Sequence, residues 1–219
     1  MNDIVAIDGP AGSGKSTVAK ILADKIGYTY VDTGAMYRAL TLKAQREKTN
    51  LNDEEALTRL AEATELDIVS NKAGAIEVLL DGEDVSSLIR TPELTSNVFY
   101  TAKVKGVREK MKKSQRIIGE RGRSVFEGRD IGTVVFPDAR YKFYLDADFT
   151  ERVKRRHKEL LGEGHKMSFE ELEKDLQVRD HKDMSREIAP LKCAEDAVYI
   201  DTTNMSITEV IDKLTGYIK

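Results

Sequence analysis

Ile4-Val5-Ala6-Ile7-Asp8-Gly9-Pro10-Ala11-Gly12-Ser13-Gly14-Lys15-Ser16-Thr17 is the stretch whose reading decides the architecture. Ile4 to Ile7 are apolar on both faces, as a central parallel strand requires. Gly9 to Thr17 match G-x-x-x-x-G-K-[ST]. Beyond them Val18, Ile21, Leu22 and Ile26 recur at helical spacing, with Gly27 where a helix C-cap falls. Strand, glycine loop and helix together form the context in which that pattern cradles phosphate. Glycines let consecutive backbone N–H groups curl round an anion, and the helix N-terminus adds partial positive charge. Lys15 suits the β- and γ-phosphates of a nucleoside triphosphate, and the Ser16 hydroxyl suits Mg²⁺. A dinucleotide fingerprint is excluded, because Gly12-x-Gly14-x-x-Thr17 lacks the third glycine. The base-reading Asn-Lys-x-Asp of a GTPase is absent too: the chain's Asn-Lys is Asn71-Lys72-Ala73-Gly74.

Outward from this loop the pattern repeats. Tyr28 to Val31 read as a second strand, Asp32-Thr33-Gly34 as a turn, and Met36, Leu40 and Ala44 as one face of a helix. Three later strands, at Val125-Phe126-Glu127, Tyr141 to Leu145 and Val198-Tyr199-Ile200, fit the same sheet. Asp148 with Glu151, Ser168 with Glu171 and Ser206 with Glu209 are spaced as capping boxes. The fold class is therefore α/β, a five-stranded parallel sheet flanked by helices. Between the second and third strands the alternation breaks. Leu66 to Val69 and Ala75 to Leu80, joined by a turn over 70–74, read as an antiparallel hairpin. Residues 35–120 are accordingly placed in an inserted subdomain, with 1–34 and 121–219 forming the core.

Composition fits one globular domain with an insertion. Of 219 residues, 40% are apolar and 33% charged, with 35 basic against 38 acidic giving −3. That balance argues against a nucleic-acid coat protein. No apolar run is long enough to span a bilayer, and Met1 to Val5 do not read as a signal peptide. The single cysteine, Cys193, rules out an internal disulfide framework and fits a reducing cytoplasm; three scattered histidines show no zinc spacing.

Arginines follow the strands. Tyr37-Arg38 lies in the helix after the second strand, and Arg129-Asp130 after the third. Ligands of an open parallel sheet bind outside the carboxyl ends of its strands, so these loops are placed to grip a second phosphate. Arg152, Lys154, Arg155 and Arg156 begin a helix leading to Leu161-Gly162-Glu163-Gly164, a basic segment suited to a lid over about 155–168. From Lys103 to Arg123 nine basic residues face two acidic ones. Val104, Val107, Met111 and Ile118 form a stripe through them, so most of those lysines read as a solvated face, Arg108 excepted. Arg179-Asp180-His181-Lys182-Asp183-Met184-Ser185-Arg186 mixes signs and reads equally well as a solvated helix end or a site.

The phosphate loop, Val31-Asp32-Thr33-Gly34-Ala35-Met36-Tyr37-Arg38, Gly128 to Val135, and Arg179 to Arg186 followed by Ala189-Pro190-Leu191 together resemble the bacterial cytidylate kinase family, in order and over nearly the whole chain. The resemblance implies a P-loop nucleoside monophosphate kinase fold with a monophosphate-binding insertion and a short lid. It implies transfer of the γ-phosphoryl group of ATP to CMP or dCMP with Mg²⁺, by a monomer acting on small molecules and on neither nucleic acid nor membrane. Carried onto this sequence, Gly9 to Thr17 bind ATP and Ser16 takes the metal. Lys15, Arg38, Arg129, Arg155 and Arg156 are catalytic, with Arg38 and Arg129 on the CMP phosphate. Asp130, Arg108 and Arg186 read cytosine, Arg179 and Asp183 contact the sugar, and Asp32, Thr33 and Tyr37 line the acceptor. Cytosine shows an N4 donor beside two acceptors, which a carboxylate next to an arginine can read; uracil's O4 would face Asp130 as a second acceptor. Two positions depart from the family pattern: Glu127 stands where many relatives have aspartate, and Phe99 where relatives often have serine.

Three other readings stay open on the sequence. One is a kinase for another acceptor such as UMP or shikimate. Another is a nucleic-acid-binding ATPase using the Lys103–Arg123 segment, and the third a nucleotide sensor without transfer.

Overall fold

The computed structural model describes residues 3–70 and 76–218, with only the backbone of Ser70 among them. Strands β1 (Ile4–Asp8), β2 (Thr29–Asp32), β6 (Ser124–Gly128), β7 (Tyr141–Asp146) and β8 (Val198–Asp201) form a sheet in the order β2-β6-β1-β7-β8. β1 runs parallel to β6, Ile4 opposite Ser124, and to β7, Val5 opposite Tyr141. Every residue of β1 and β6 is buried, which explains the apolar run Ile4 to Ile7; in β6 Val125 and Phe126 are flanked by the buried polar Ser124 and Glu127.

One compact unit comprises residues 3–28 and 124–218. Its helices are α1 (Lys15–Ile26), α6 (Phe149–Gly162), α7 (Phe169–Ser185) and α8 (Ile207–Tyr217). Gly27 closes α1, its N–H bonding the carbonyls of Ala23 and Asp24. The expected capping boxes at Ser168 and Ser206 are complete. The one at Asp148 is half-made: its carboxylate accepts from Thr150 and Glu151, but the Glu151 side chain is engaged by Arg155 instead. Ala11, Val153, Leu160, Leu172 and Leu176 pack into a cluster that holds α6 and α7 against the phosphate loop. Between β6 and β7, Ile131–Val135 form a single wide helical turn.

The other unit spans residues 29–123. Here α2 (Thr33–Arg46) packs on α4 (Pro92–Ala102), and α3 (Glu54–Glu62) on α5 (Lys105–Glu120). β3 (Leu66–Ser70), β4 (Ile76–Leu80) and the two-residue β5 (Glu83–Asp84) form a small antiparallel sheet. The hairpin's expected turn, and Asn71-Lys72-Ala73-Gly74 with it, lie outside the described residues. Asp32-Thr33-Gly34 is no free turn. Asp32 is the N-cap of α2, its Oδ1 accepting from the Ala35 N–H at 2.9 Å, so Thr33 and Gly34 already belong to the helix. On α5, Val107, Met111 and Ile118 are buried, and the lysines between them form the wet face expected of an amphipathic helix. Among the described residues, no helix is long and apolar enough to cross a membrane.

Candidate active site

β1 delivers Asp8 to the start of the phosphate loop, and α1 begins at Lys15. The loop leaves no room for side chains at two of its glycines. A Cβ on Gly9 would sit 2.1 Å from the Leu145 carbonyl oxygen. One on Gly12 would sit 2.6 Å from that of Arg152, at a left-handed φ of +76°. Pro10 and Ala11 offer carbonyls inward: Lys15 Nζ donates to Pro10 O at 3.0 Å, and Arg152 Nη1 to Ala11 O at 3.0 Å. Thr202 Oγ1 donates toward the Ser13 carbonyl at 3.3 Å, while the buried Ser13 Oγ has no hydrogen-bond partner among the described residues. Gly14 and Thr17 complete the loop and the first turn of α1.

Lys15 is buried, and this lowers its pKa to about 7, with Arg129 and Arg179 pushing the same way and Glu127 and Asp183 opposing. An arriving polyanion would favour the charged ammonium and raise that pKa again. Ser16 Oγ donates to Glu127 Oε2 at 2.8 Å. A hydroxyl and a buried carboxylate side by side at the loop's end suit Mg²⁺, which takes one or two protein oxygens and completes its shell with phosphate and water. Among the described residues there is no cluster of three or more acidic, histidine or cysteine side chains able to cage a metal.

The loop after β6 carries Arg129 and Asp130. Arg129 Nε donates to Asp183 Oδ2 on α7 at 2.9 Å, and its Nη1 to Gly128 O at 3.2 Å. Burial alone would lower the Arg129 pKa; Asp183, then Glu127 and Asp180, outweigh it and raise the value. Burial likewise works to raise the Asp183 pKa, but Arg129, Arg179 and Arg186 hold it below the usual carboxylate range. Arg186 lies 3.8 Å from both Asp130 Oδ1 and Asp183 Oδ1, and its Nε donates to Ala189 O at 2.6 Å. The structure thus brings Arg129, Asp130, Arg179, Asp183 and Arg186 into one charged cluster. Asp8 braces the same loop, Oδ1 accepting from Ile131 N at 2.8 Å and Oδ2 from Gly132 N at 2.7 Å. Burial, assisted by Asp130, raises its pKa to about 7 despite those two bonds.

The two α6 arginines expected to be catalytic differ. Arg155 is clamped: Nε to Glu151 at 2.9 Å, Nη1 to Thr202 Oγ1 at 2.9 Å, and Nη2 to the Thr202 carbonyl at 2.7 Å. Arg156 instead pairs with Glu159 on its own helix at 2.6 Å.

In the unit of residues 29–123, α2 presents the acceptor candidates. Arg38 Nη2 meets Asp32 Oδ2 at 2.8 Å, so one carboxylate caps the helix and orients the guanidinium. Burial works to raise the Asp32 pKa, yet Arg38, the Ala35 N–H and Arg90 outweigh it and hold it low. Arg38 Nε is buried with no hydrogen-bond partner among the described residues, a donor suited to an incoming phosphate. Arg108, buried on α5, lies 5.6 Å from the centre of the Tyr37 ring and donates through Nη1 to Ala102 O at 3.1 Å. Thr33 is buried in the first turn of α2. Phe99 meets Tyr100 edge-on at 5.9 Å, and Thr101 shares a 2.9 Å hydroxyl contact with Thr41. Sequence reading missed Asp8, Arg90 and Thr202 and did not separate Arg152 or Asp180 from their neighbours. For Asp8 a signal existed: a lone carboxylate ending an apolar strand immediately before the phosphate loop.

A family model for cytidylate kinase matches residues 5–219. The chain belongs to the cytidylate kinase family. Its relatives include the cytidylate kinase of Bacillus velezensis, 50% identical over 96% of this chain and 93% of the relative. That of Desulforamulus reducens is 49% identical over 98% and 96%, and that of Bacillus subtilis 48% identical over 96% and 93%. Two crystal structures are alike in fold alone. One, from Thermus thermophilus, has a TM-score of 0.50 at 18% identity and covers 100% of this chain and 98% of its own. The other, an uncharacterised protein from Eubacterium ventriosum, has a TM-score of 0.53 at 14% identity with the same coverage. As a member of the cytidylate kinase family the chain is a P-loop kinase using ATP as phosphoryl donor. The rival readings as a nucleic-acid ATPase, a kinase for another acceptor or a sensor are not favoured.

Proposed function

We propose that this chain transfers the γ-phosphoryl group of ATP to CMP or dCMP, giving ADP and CDP or dCDP. The observation carrying this reading is the part-buried Arg129–Asp183 pair, on the same unit as a phosphate loop whose Lys15 and Ser16 stand ready for a triphosphate.

ATP enters with its β- and γ-phosphates in the cradle of Gly9 to Thr17, Lys15 gaining its full charge as they arrive. Ser16, with Glu127 behind it, would hold Mg²⁺, which supplies positive charge against phosphate oxygens. Arg38 and Arg129 take the acceptor's phosphate and set it in line; Asp32 and Asp183 keep the two guanidiniums aimed. Asp130, Arg108 and Arg186 read the base, Arg179 and Asp183 the sugar, while Thr33 and Tyr37 flank the acceptor. Arg155 and Arg156, on the basic helix α6, would neutralise charge developing on the transferred group and exclude water. No general base is needed, because a monophosphate oxygen is already a competent nucleophile near neutral pH. Cytosine is preferred over uracil because uracil's O4 would leave the Asp130 carboxylate facing a second acceptor, at a cost of about 1–3 kcal/mol. We place the activity in the cytoplasm, in a monomer with no nucleic-acid partner.

The test is an acceptor panel with ATP and Mg²⁺: CMP, dCMP, UMP, AMP and shikimate, with RNA and DNA as stimulants of ATP hydrolysis. Rapid turnover confined to CMP and dCMP is expected. Preferential turnover of another acceptor, or hydrolysis driven by nucleic acid, would overturn the assignment.

A further inference from the structure

Helix α7 carries two carboxylates one turn apart, Asp180 and Asp183, and each holds a different arginine. Residues at i and i+3 share one helix face, so a single rigid element grips both. Asp183 takes Arg129, as described. Asp180 Oδ2 accepts from Arg152 Nη1, and both side chains of that pair are at least nine-tenths buried. Arg152 spreads its fork over two main-chain carbonyls, Nη1 on Ala11 of the phosphate loop at 3.0 Å and Nε on Ala147 at 3.1 Å. Its own carbonyl oxygen is what forces a glycine at position 12. Arg152 is therefore built into the wall of the phosphate loop and is not a free lid cation.

Asp180 has a second peculiarity. Its Oδ1 is buried with no hydrogen-bond partner among the described residues, although its charge is also felt at Arg129. The carboxylate thus lies within electrostatic reach of both guanidiniums while bonded to one.

We propose that Asp180 is a positioning residue that couples occupancy of the phosphate loop to binding of the acceptor phosphate at Arg129. This rests on the assignment of the two nucleotides given above. A triphosphate in the loop fixes the Ala11 carbonyl and with it Arg152. Asp180 transmits that order to α7, and Asp183, one turn on, then presents Arg129 already placed. The second ligand meets a site whose ordering cost has been met by the first, which is positive coupling without a new contact between protein and ligand. Linkage requires the effect to be reciprocal.

The experiment measures CMP affinity by calorimetry, with and without saturating Mg²⁺ and a non-hydrolysable ATP analogue, in wild type, Asp180→Asn and Arg152→Lys. Asparagine keeps the shape of the side chain but removes the charge that holds Arg152; lysine keeps the charge but loses the fork that reaches Ala11. In wild type the analogue is expected to tighten CMP binding by about fivefold or more, the lower end of ordinary coupling. In both variants that factor should fall to within about twofold of unity, while each ligand alone still binds. A wild-type factor near one, or an undiminished factor in the variants, overturns the proposal, as does a parallel loss of both affinities together with the melting temperature. Should Asp180→Asn fail to fold, Arg152→Lys decides alone. Failure of wild type to bind CMP or the analogue at all would instead strike the functional assignment itself.

Discussion

Consider the charge on Lys15. Burial holds its pKa at about 7 in the ligand-free protein, so at pH 8 roughly nine in ten molecules carry a neutral amine there. A bound triphosphate places several negative charges against Nζ and restores the ammonium. Binding at pH 8 should then draw about 0.9 proton from solvent, against about 0.5 at pH 7 and about 0.1 at pH 6. The same linkage makes affinity fall as pH rises: the bound form needs a proton the free form lacks, so the apparent association constant drops about fifty-fold between pH 7 and pH 9. Calorimetric titration of the Mg²⁺ complex of an ATP analogue in two buffers of different ionisation enthalpy reads the proton uptake directly. Lys15→Arg is the control, since a guanidinium stays protonated throughout and both the uptake and the alkaline loss should vanish. Uptake at pH 8 below about 0.2 proton, or equal uptake in the arginine variant, would refute the reasoning.

Three further outcomes follow from the same geometry. Gly12→Ala forces a Cβ into the Arg152 carbonyl oxygen at 2.6 Å and a left-handed φ on alanine; the strain is at least about 1–2 kcal/mol, and a tenfold or greater loss of ATP affinity is expected in equilibrium titrations. Asp8→Asn removes one of the two acceptors bracing Ile131 and Gly132, so KM for CMP should rise. Because the folded Asp8 pKa of about 7 exceeds its ordinary 3.8, the native state holds the proton more tightly, and stability falls as pH rises from about 4 to about 7. Chemical denaturation across that window should show this slope shrinking in the variant. Ser206→Ala breaks a complete capping box on α8; it should cost about 1 kcal/mol and a few degrees of Tm with kcat unaltered.

Local signals made much of this molecule readable. Strand β1, the glycine loop and α1 follow from apolar runs and spacing inside about 25 residues, and the Ser168 and Ser206 boxes from four-residue patterns that the structure closes. Asp32 shows where that kind of reading slips. Asp-Thr-Gly has the composition of a turn, but a carboxylate can cap a helix as readily, and what settles the matter is Arg38 six residues on, holding the other oxygen. β5 escaped notice because it is only two residues long and Glu83 and Asp84 are exposed and acidic. In the site, motif residues were legible as a set. Their supports were not: Arg152 reaches Ala11 across 141 positions and Ser16 reaches Glu127 across 111, distances over which no periodicity speaks.

Strand β1 sits between β6 and β7, with Ile4 opposite Ser124 and Val5 opposite Tyr141. During synthesis, therefore, β1 emerges long before either of its neighbours exists, an apolar ribbon with both edges open. Residues 29–123 are all made in that interval and can pack among themselves. Closing so long a loop makes assembly of the central sheet slow relative to local helix formation. Nascent chains arrested before Ser124 should consequently shield their middle from proteolysis while leaving Ile4 to Asp8 exposed to chaperones.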